Sequence, residues 1–193
     1  MRRDIKEQEL TSTQLFLLSY QTCQWWNAVF VQAERFFCAL EKNHGGTPWD
    51  IENANCLFGA ERTFLITAIF HAIEDLEKLD YEIQRSGDFS LMPVLESIEQ
   101  IAPLYEIKNL RDMNEHSLDY LMEMGQKQDQ FRTTIQNGDC SIPTTAAWTY
   151  VDGDAKIMAL GRIKIDKLLL EMKAQFSLVQ AKTKEIFEKE LTR

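Results

Sequence analysis

Between residues 11 and 43 the apolar positions repeat at a helical period: Leu15, Leu18, Trp25, Trp26, Val29, Phe36, Phe37 and Leu40. They cover more than one narrow stripe, so the predicted helix is central or buried against two neighbours. T-S-T-Q at 11–14 has the form of a capping box, and Gly45-Gly46 ends the run. Thr47-Pro48 reads as an N-cap followed by proline at the first helical position. A second helix begins there or a turn later and continues to the Ser86-Gly87-Asp88 break. Phe64, Leu65, Ala68, Ile69, Ala72, Ile73, Leu76 and Leu79 keep its apolar period, and the charged run EDLEK at 74–78 supplies a solvated face.

The stretch from Ser90 to Met124 predicts a short helix and then a longer one, separated or kinked near Pro103. After Met124 the period changes to β-branched and aromatic runs. Asn137-Gly138 and Asp152-Gly153 are turn signals, and a β-hairpin is expected around the D-G-D text. IDKLLLEMKAQFSLVQAKTKEIFEKEL then returns to an amphipathic helix. The expected fold is mainly α, a helical bundle of about four long helices with a small β-hairpin before the last helix. It is expected to form a single domain over residues 1–193, with the hairpin inserted at about 131–161.

A chain of 193 residues can bury a substantial core in one domain. Its 30 acidic against 21 basic residues favour solubility and oppose broad, nonspecific attraction to nucleic acid. Any RNA contact must come from a local cationic patch or from a partner. Cys23, Cys38, Cys56 and Cys140 are scattered without a C-x-x-C pair, the pattern of free buried thiols in a reducing compartment. MRRDIKEQEL leads into no signal-peptide core, and Gln, Asn, Glu and Arg interrupt the apolar stretches before membrane-spanning length. A cytoplasmic protein with no membrane partner is the expectation.

Among candidate chemistries, Glu41 and His44 have the E-x-x-H spacing of di-metal bundles. No second copy exists, and a histidine near a helix C-terminus simply complements the helix dipole. His71 lies beside apolar positions with Glu74 and Asp75 a turn on, which reads as a partly buried, hydrogen-bonded core residue. Trp25-Trp26 lacks interleaved basic residues, so packing in the core or a dimer interface is preferred to base stacking. There is no phosphate-cradling glycine loop and no Ser-His-Asp pattern. Neither a cofactor nor a metal is expected.

The segment NLRDMNEHSLDYLMEM, 109–124, is the most suggestive. On a continuous helix Arg111 falls near Glu115 and Asp112 near His116. Arg111 and His116 differ by about 140° around the axis and about 7.5 Å along it. Asp112 is placed to hold one ring nitrogen of His116. The bland alternative is an Arg111–Glu115 ion pair and an Asp112–His116 hydrogen bond that only solvate the helix. RDMNEH resembles the motif of the HEPN superfamily, helical bundles with Arg-x4-6-His in a late helix, in which Asn, Asp or His commonly follows the arginine of active members. The text from Thr149 to Met172 departs from the simplest plan of that family as an added hairpin.

The resemblance implies metal-independent RNA cleavage, as in toxin or defence systems. His116 would act as general acid or base, Arg111 would neutralise phosphate charge, and Asp112 would orient His116 or contact RNA. It further implies RNA as substrate, a homodimer that joins two motifs in one cleft, and an antitoxin or regulatory protein as partner. A noncatalytic binding or scaffold module of the same fold is the other implied reading.

Overall fold

In a computed structural model, the described residues are 10–41, 48–116, 124, 133–137, 140–144, 149–152, 157–160 and 163–191. Five helices are described: α1 (Ser12–Glu41), α2 (Pro48–Gln84), α3 (Met92–Ile101), α4 (Leu104–Glu115) and α5 (Ile165–Leu191). Five short strands precede α5: β1 (Thr133–Asn137), β2 (Cys140–Thr144), β3 (Thr149–Asp152), β4 (Ile157–Leu160) and β5 (Ile163–Lys164). The fold is mainly α. Three helices are long and two are short.

The start of α1 is set by side chains. Thr11 Oγ1 accepts the Gln14 N–H at 3.2 Å, and Gln14 Oε1 accepts the Thr11 N–H at 2.9 Å. These reciprocal bonds satisfy donors that a helix start leaves open, as the capping-box text predicts. The end of α2 is set by Gly87. Its N–H donates to the Gln84 carbonyl at 2.9 Å, and the Asp88 N–H reaches the Ile83 carbonyl at 3.1 Å. This double closure needs a left-handed residue, and Gly87 adopts φ 85°. Gly45-Gly46 and His44, expected at the end of α1, lie outside the described residues, as does the Glu41 side chain.

Helix α2 contacts α1, α4 and α3, while α5 packs on α1 and α3. α1 runs antiparallel to α2: Trp26 donates its indole N–H to the Ala72 carbonyl at 3.2 Å, and Arg35 meets Glu61 at 2.7 Å. α1 and α5 are also antiparallel, joined by Phe16–Phe187 and Phe30–Phe176 ring contacts. Two neighbours therefore account for the broad apolar surface of α1. Trp26, Val29, Phe36, Leu65, Ala72, Leu76, Leu79, Leu168, Met172 and Val179 are all fully buried in the shared core.

Several sequence expectations are corrected. Phe64 holds the helical period but is 55% exposed, because it sits on the outer ridge of α2. The described cysteines are free, yet Cys38 and Cys56 are exposed and Cys23 is half-buried, since they fall on outward helix positions; the Cys140 side chain lies outside the described residues. The stretch Cys56–Gln84 is, by length and composition, apolar enough to cross a membrane. In this bundle its apolar face packs against α1 and α4, and it buries Glu61, Asp75 and Asp80 as well.

β1 and β2 pair antiparallel with Asn137 opposite Cys140, and β3–β4–β5 form a three-stranded antiparallel sheet with Asp152 opposite Ile157. Strand pairs thus flank both turn signals, whose residues 138–139 and 153–156 lie outside the described residues.

A buried lysine ties α5 to the end of α2. Lys182, with 9% of its side chain exposed, donates to Asp88 and to Glu185 Oε2 at 2.9 Å. The Lys182 bond, aided by Ser90, pulls the Asp88 carboxyl down to about 2. A carboxyl whose folded value lies below its unfolded value of about 3.9 adds stability above that value and loses it as pH falls toward 2. Lys182→Met is therefore expected to lower the urea midpoint at pH 6, with the gap to wild type closing between about pH 4 and 2. Gly87→Ala is expected to cost about 1 kcal/mol at any pH, measured by the same denaturation, because alanine is strained at positive φ.

Candidate functional site

Pro103 separates α3 from α4. Its φ of −55° and ψ of 133° set it outside the helix, and the Leu104 N–H is met by Glu99 Oε2 at 3.1 Å. From there Ile107, Leu110 and Met113 bury one face of α4. Arg111 and Asp112 stand at the edge of that face, both half-buried.

The helix does not continue through the motif as the sequence pattern suggests. α4 ends at Glu115, and His116 is its C-cap with φ −109° and ψ 33°. The His116 N–H still closes onto the Asp112 carbonyl at 2.9 Å, but the residue has left helical geometry and is exposed. Residues 117–123, including Tyr120, lie outside the described residues. The axial rotation expected between Arg111 and His116 therefore no longer describes them.

Arg111 is held on three sides. Its Cζ lies 4.0 Å from the centroid of the Phe70 ring on α2. Its Nη2 and Nε donate to Asp112 Oδ1 at 2.6 and 3.2 Å, and Nε lies 3.6 Å from Glu115 Oε1. A guanidinium stacked on an aromatic face and tied to carboxylates has little rotational freedom. The expected Arg111–Glu115 pair is present. Asp112 instead turns its carboxylate to Arg111, because the i,i+4 side-chain register toward His116 is lost where the helix stops. None of these contacts uses Nη1 of Arg111.

Phe70 belongs to a longer stack that sequence reasoning missed. Its ring meets His71 edge-on, with centroids 5.2 Å apart at 68°. His71 in turn stacks on Trp25 of α1 at 4.6 Å and 25°. Glu74 Oε2 is 3.7 Å from Nδ1 of His71, and Lys78 bridges Glu74 and Asp75 at 3.4 and 3.6 Å. Burial pushes the Asp75 carboxyl up, and Lys78 acts against that rise. His71 is partly buried, as the sequence suggests, but Glu74 at 3.7 Å is beyond hydrogen-bond reach, and the aromatic partner of His71 is not legible in the sequence. Trp26 goes to the core, and Trp25 to this stack.

Grooves open elsewhere, one of about 540 Å³ between α1 and α5 beside Tyr20, Cys23 and Phe187, and one of about 600 Å³ beside Leu17, Asp75 and Tyr81. Neither is lined by Arg111, Asp112 or His116. Among the described residues no group of three or more His, Cys, Asp or Glu side chains is arranged to hold a metal ion.

The Phe70–Arg111 contact has a measurable consequence. A double-mutant cycle with Phe70→Leu and Arg111→Met is expected to give a coupling of about 1 kcal/mol in chemical denaturation. The coupling is expected to persist in 1 M salt, whereas a purely ionic role of Arg111 would be screened away. Compared with protein-family models, with curated proteins and with solved structures, the chain matches none.

Proposed function

We propose that this helical bundle is a HEPN-like ribonuclease that cleaves RNA without a metal ion, in the manner of a toxin or defence component. The observation that carries the reading is the state of Arg111: its guanidinium is fixed on Phe70 at the end of α4 that bears the exposed His116, with Nη1 uncommitted among the described residues. Charge stabilisation favours a cation that is already oriented before the substrate arrives. Arg111 binds a non-bridging phosphate oxygen, where negative charge gathers in the transition state. The ribose 2′-oxygen bonds to phosphorus as the bond to the 5′-oxygen breaks. One imidazole receives the 2′-hydroxyl proton and another delivers a proton to the departing 5′-oxygen. A two-fold dimer supplies both from two copies of His116. Asp112 orients Arg111, a role different from the one its sequence position first suggests.

One observation favours a second reading. Asp112 and Glu115 already engage Arg111, and the chain carries a net charge of −9, a combination that disfavours a polyanion. In that reading the module is a noncatalytic scaffold, and Arg111 is a structural clamp between α4 and α2.

Single-stranded RNA incubated with the protein in EDTA separates the two. Arg111→Ala and His116→Ala are each expected to lower the cleavage rate by at least about 100-fold with thermal unfolding largely retained, the range for loss of an acid–base or charge-stabilising group. Absence of cleavage by the wild-type protein across pH 5 to 9 would overturn the nuclease reading and leave the scaffold.

A further inference from the structure

A second imidazole lies near Arg111, outside the Arg-Asp-x-x-x-His text. Phe70 and His71 are consecutive on α2, and Phe70 touches both His71, at 5.2 Å between centroids, and the Arg111 Cζ, at 4.0 Å. His71 and Arg111 are therefore no farther apart than those two contacts laid end to end. Both reach solvent, with 34% and 21% of their side chains exposed. The Trp25 ring fixes the plane of the imidazole, and Glu74 lies on its Nδ1 side, so that among the described residues no polar contact of His71 uses Nε2. On Arg111 the carboxylates of Asp112 and Glu115 take Nε and Nη2 and leave Nη1.

We propose that an RNA phosphodiester binds across the Phe70 ring, bridged between Nη1 of Arg111 and Nε2 of His71. This deepens the ribonuclease reading and rests on it: His71 becomes a phosphate-binding residue of the same site, contributed by α2 rather than α4. A phosphate has several acceptor oxygens and can take one charge-assisted hydrogen bond from each side. The arrangement is rigid before binding, since Trp25 and Phe70 hold the two donors, so little side-chain freedom is lost when the anion arrives. It also gives an acidic chain a local anion site: the neighbouring carboxylates approach Nε and Nη2 of Arg111 and Nδ1 of His71, and the other nitrogens carry the recognition.

The test uses the full chain, a single-stranded oligonucleotide with 2′-deoxyribose that cannot be cleaved, and nitrogen-15 spectra of the imidazole rings, with His71 assigned by His71→Phe. The His71 Nε2 signal is expected to move on titration, and the movement is expected to vanish in Arg111→Ala. His71→Phe keeps a ring against Trp25 but has no nitrogen, and is expected to weaken oligonucleotide binding about tenfold. An unmoved His71 signal, or unchanged affinity in His71→Phe, overturns the proposal. The EDTA cleavage assay is independent of this readout. Cleavage with a silent His71 removes the bridging site and keeps the nuclease, whereas a responsive His71 without cleavage keeps the anion site and removes the nuclease.

Discussion

The indole N–H of Trp26, buried between α1 and α2, sets the register on which the rest of the molecule is built. A fully buried indole needs an acceptor, and here it is the backbone carbonyl of Ala72. Any slide of α1 along α2 would leave that donor unpaired in the core. Fixed in this way, the next residue back, Trp25, falls on His71, and Arg35 falls on the buried Glu61. Phe70, beside His71 on α2, receives Arg111 of α4. One hydrogen bond in the core thus helps decide which aromatic and charged groups of α1 and α2 meet.

How much of this is legible in the chain follows the range of each interaction. The Thr11–Gln14 capping box and the Ser86-Gly87-Asp88 stop can be read because their partners lie within a few residues and the chemistry is backbone chemistry. Pro103 is legible for the same reason. Helical period also identifies most of the α2 core, but it does not say where the apolar arc ends, and Phe64 sits just past that edge. The outward turn of Cys38 and Cys56 has the same origin, since an apolar-looking neighbourhood in sequence includes both faces of the helix. The site was only half legible. The text groups Arg111, Asp112 and His116, but the seat of Arg111 on Phe70 joins residues some forty positions apart, and no Gly or Pro in the motif marks the stop at Glu115. No local pattern marks Phe70 as different from Ile69 or Ile73.

The charge distribution gives the acidic chain its local structure. Two of its buried or half-buried cations are matched closely by carboxylates: Lys182 by Asp88 and Glu185, Arg111 by Asp112 and Glu115. Such pairing is what burial demands, because a cation removed from water without a partner is costly. The two cases still differ in kind. Lys182 is almost wholly enclosed, and its partners come from α5 itself and from the turn after α2, so that it acts as a clasp between elements. The carboxylates of Arg111 are both on its own helix, and the group it touches on another helix is an aromatic ring.

That difference bears on function. Intrahelical carboxylates orient a guanidinium without tying α4 to its neighbour, so stability alone does not require them; the Phe70 ring makes the link between helices. A cation whose ionic partners are local and whose interhelical partner is uncharged keeps part of its hydrogen-bonding fork for a third group. In water the fork would be satisfied by solvent. Against a phosphate, the same geometry offers a donor whose direction is already set, beside a histidine whose plane is set by Trp25. An isolated salt bridge would resist such a ligand by holding the whole guanidinium; an aromatic seat holds the plane and leaves the edge open. The physical case for an anion at this end of α4 thus rests on the uncharged ring beneath Arg111 more than on the charges beside it.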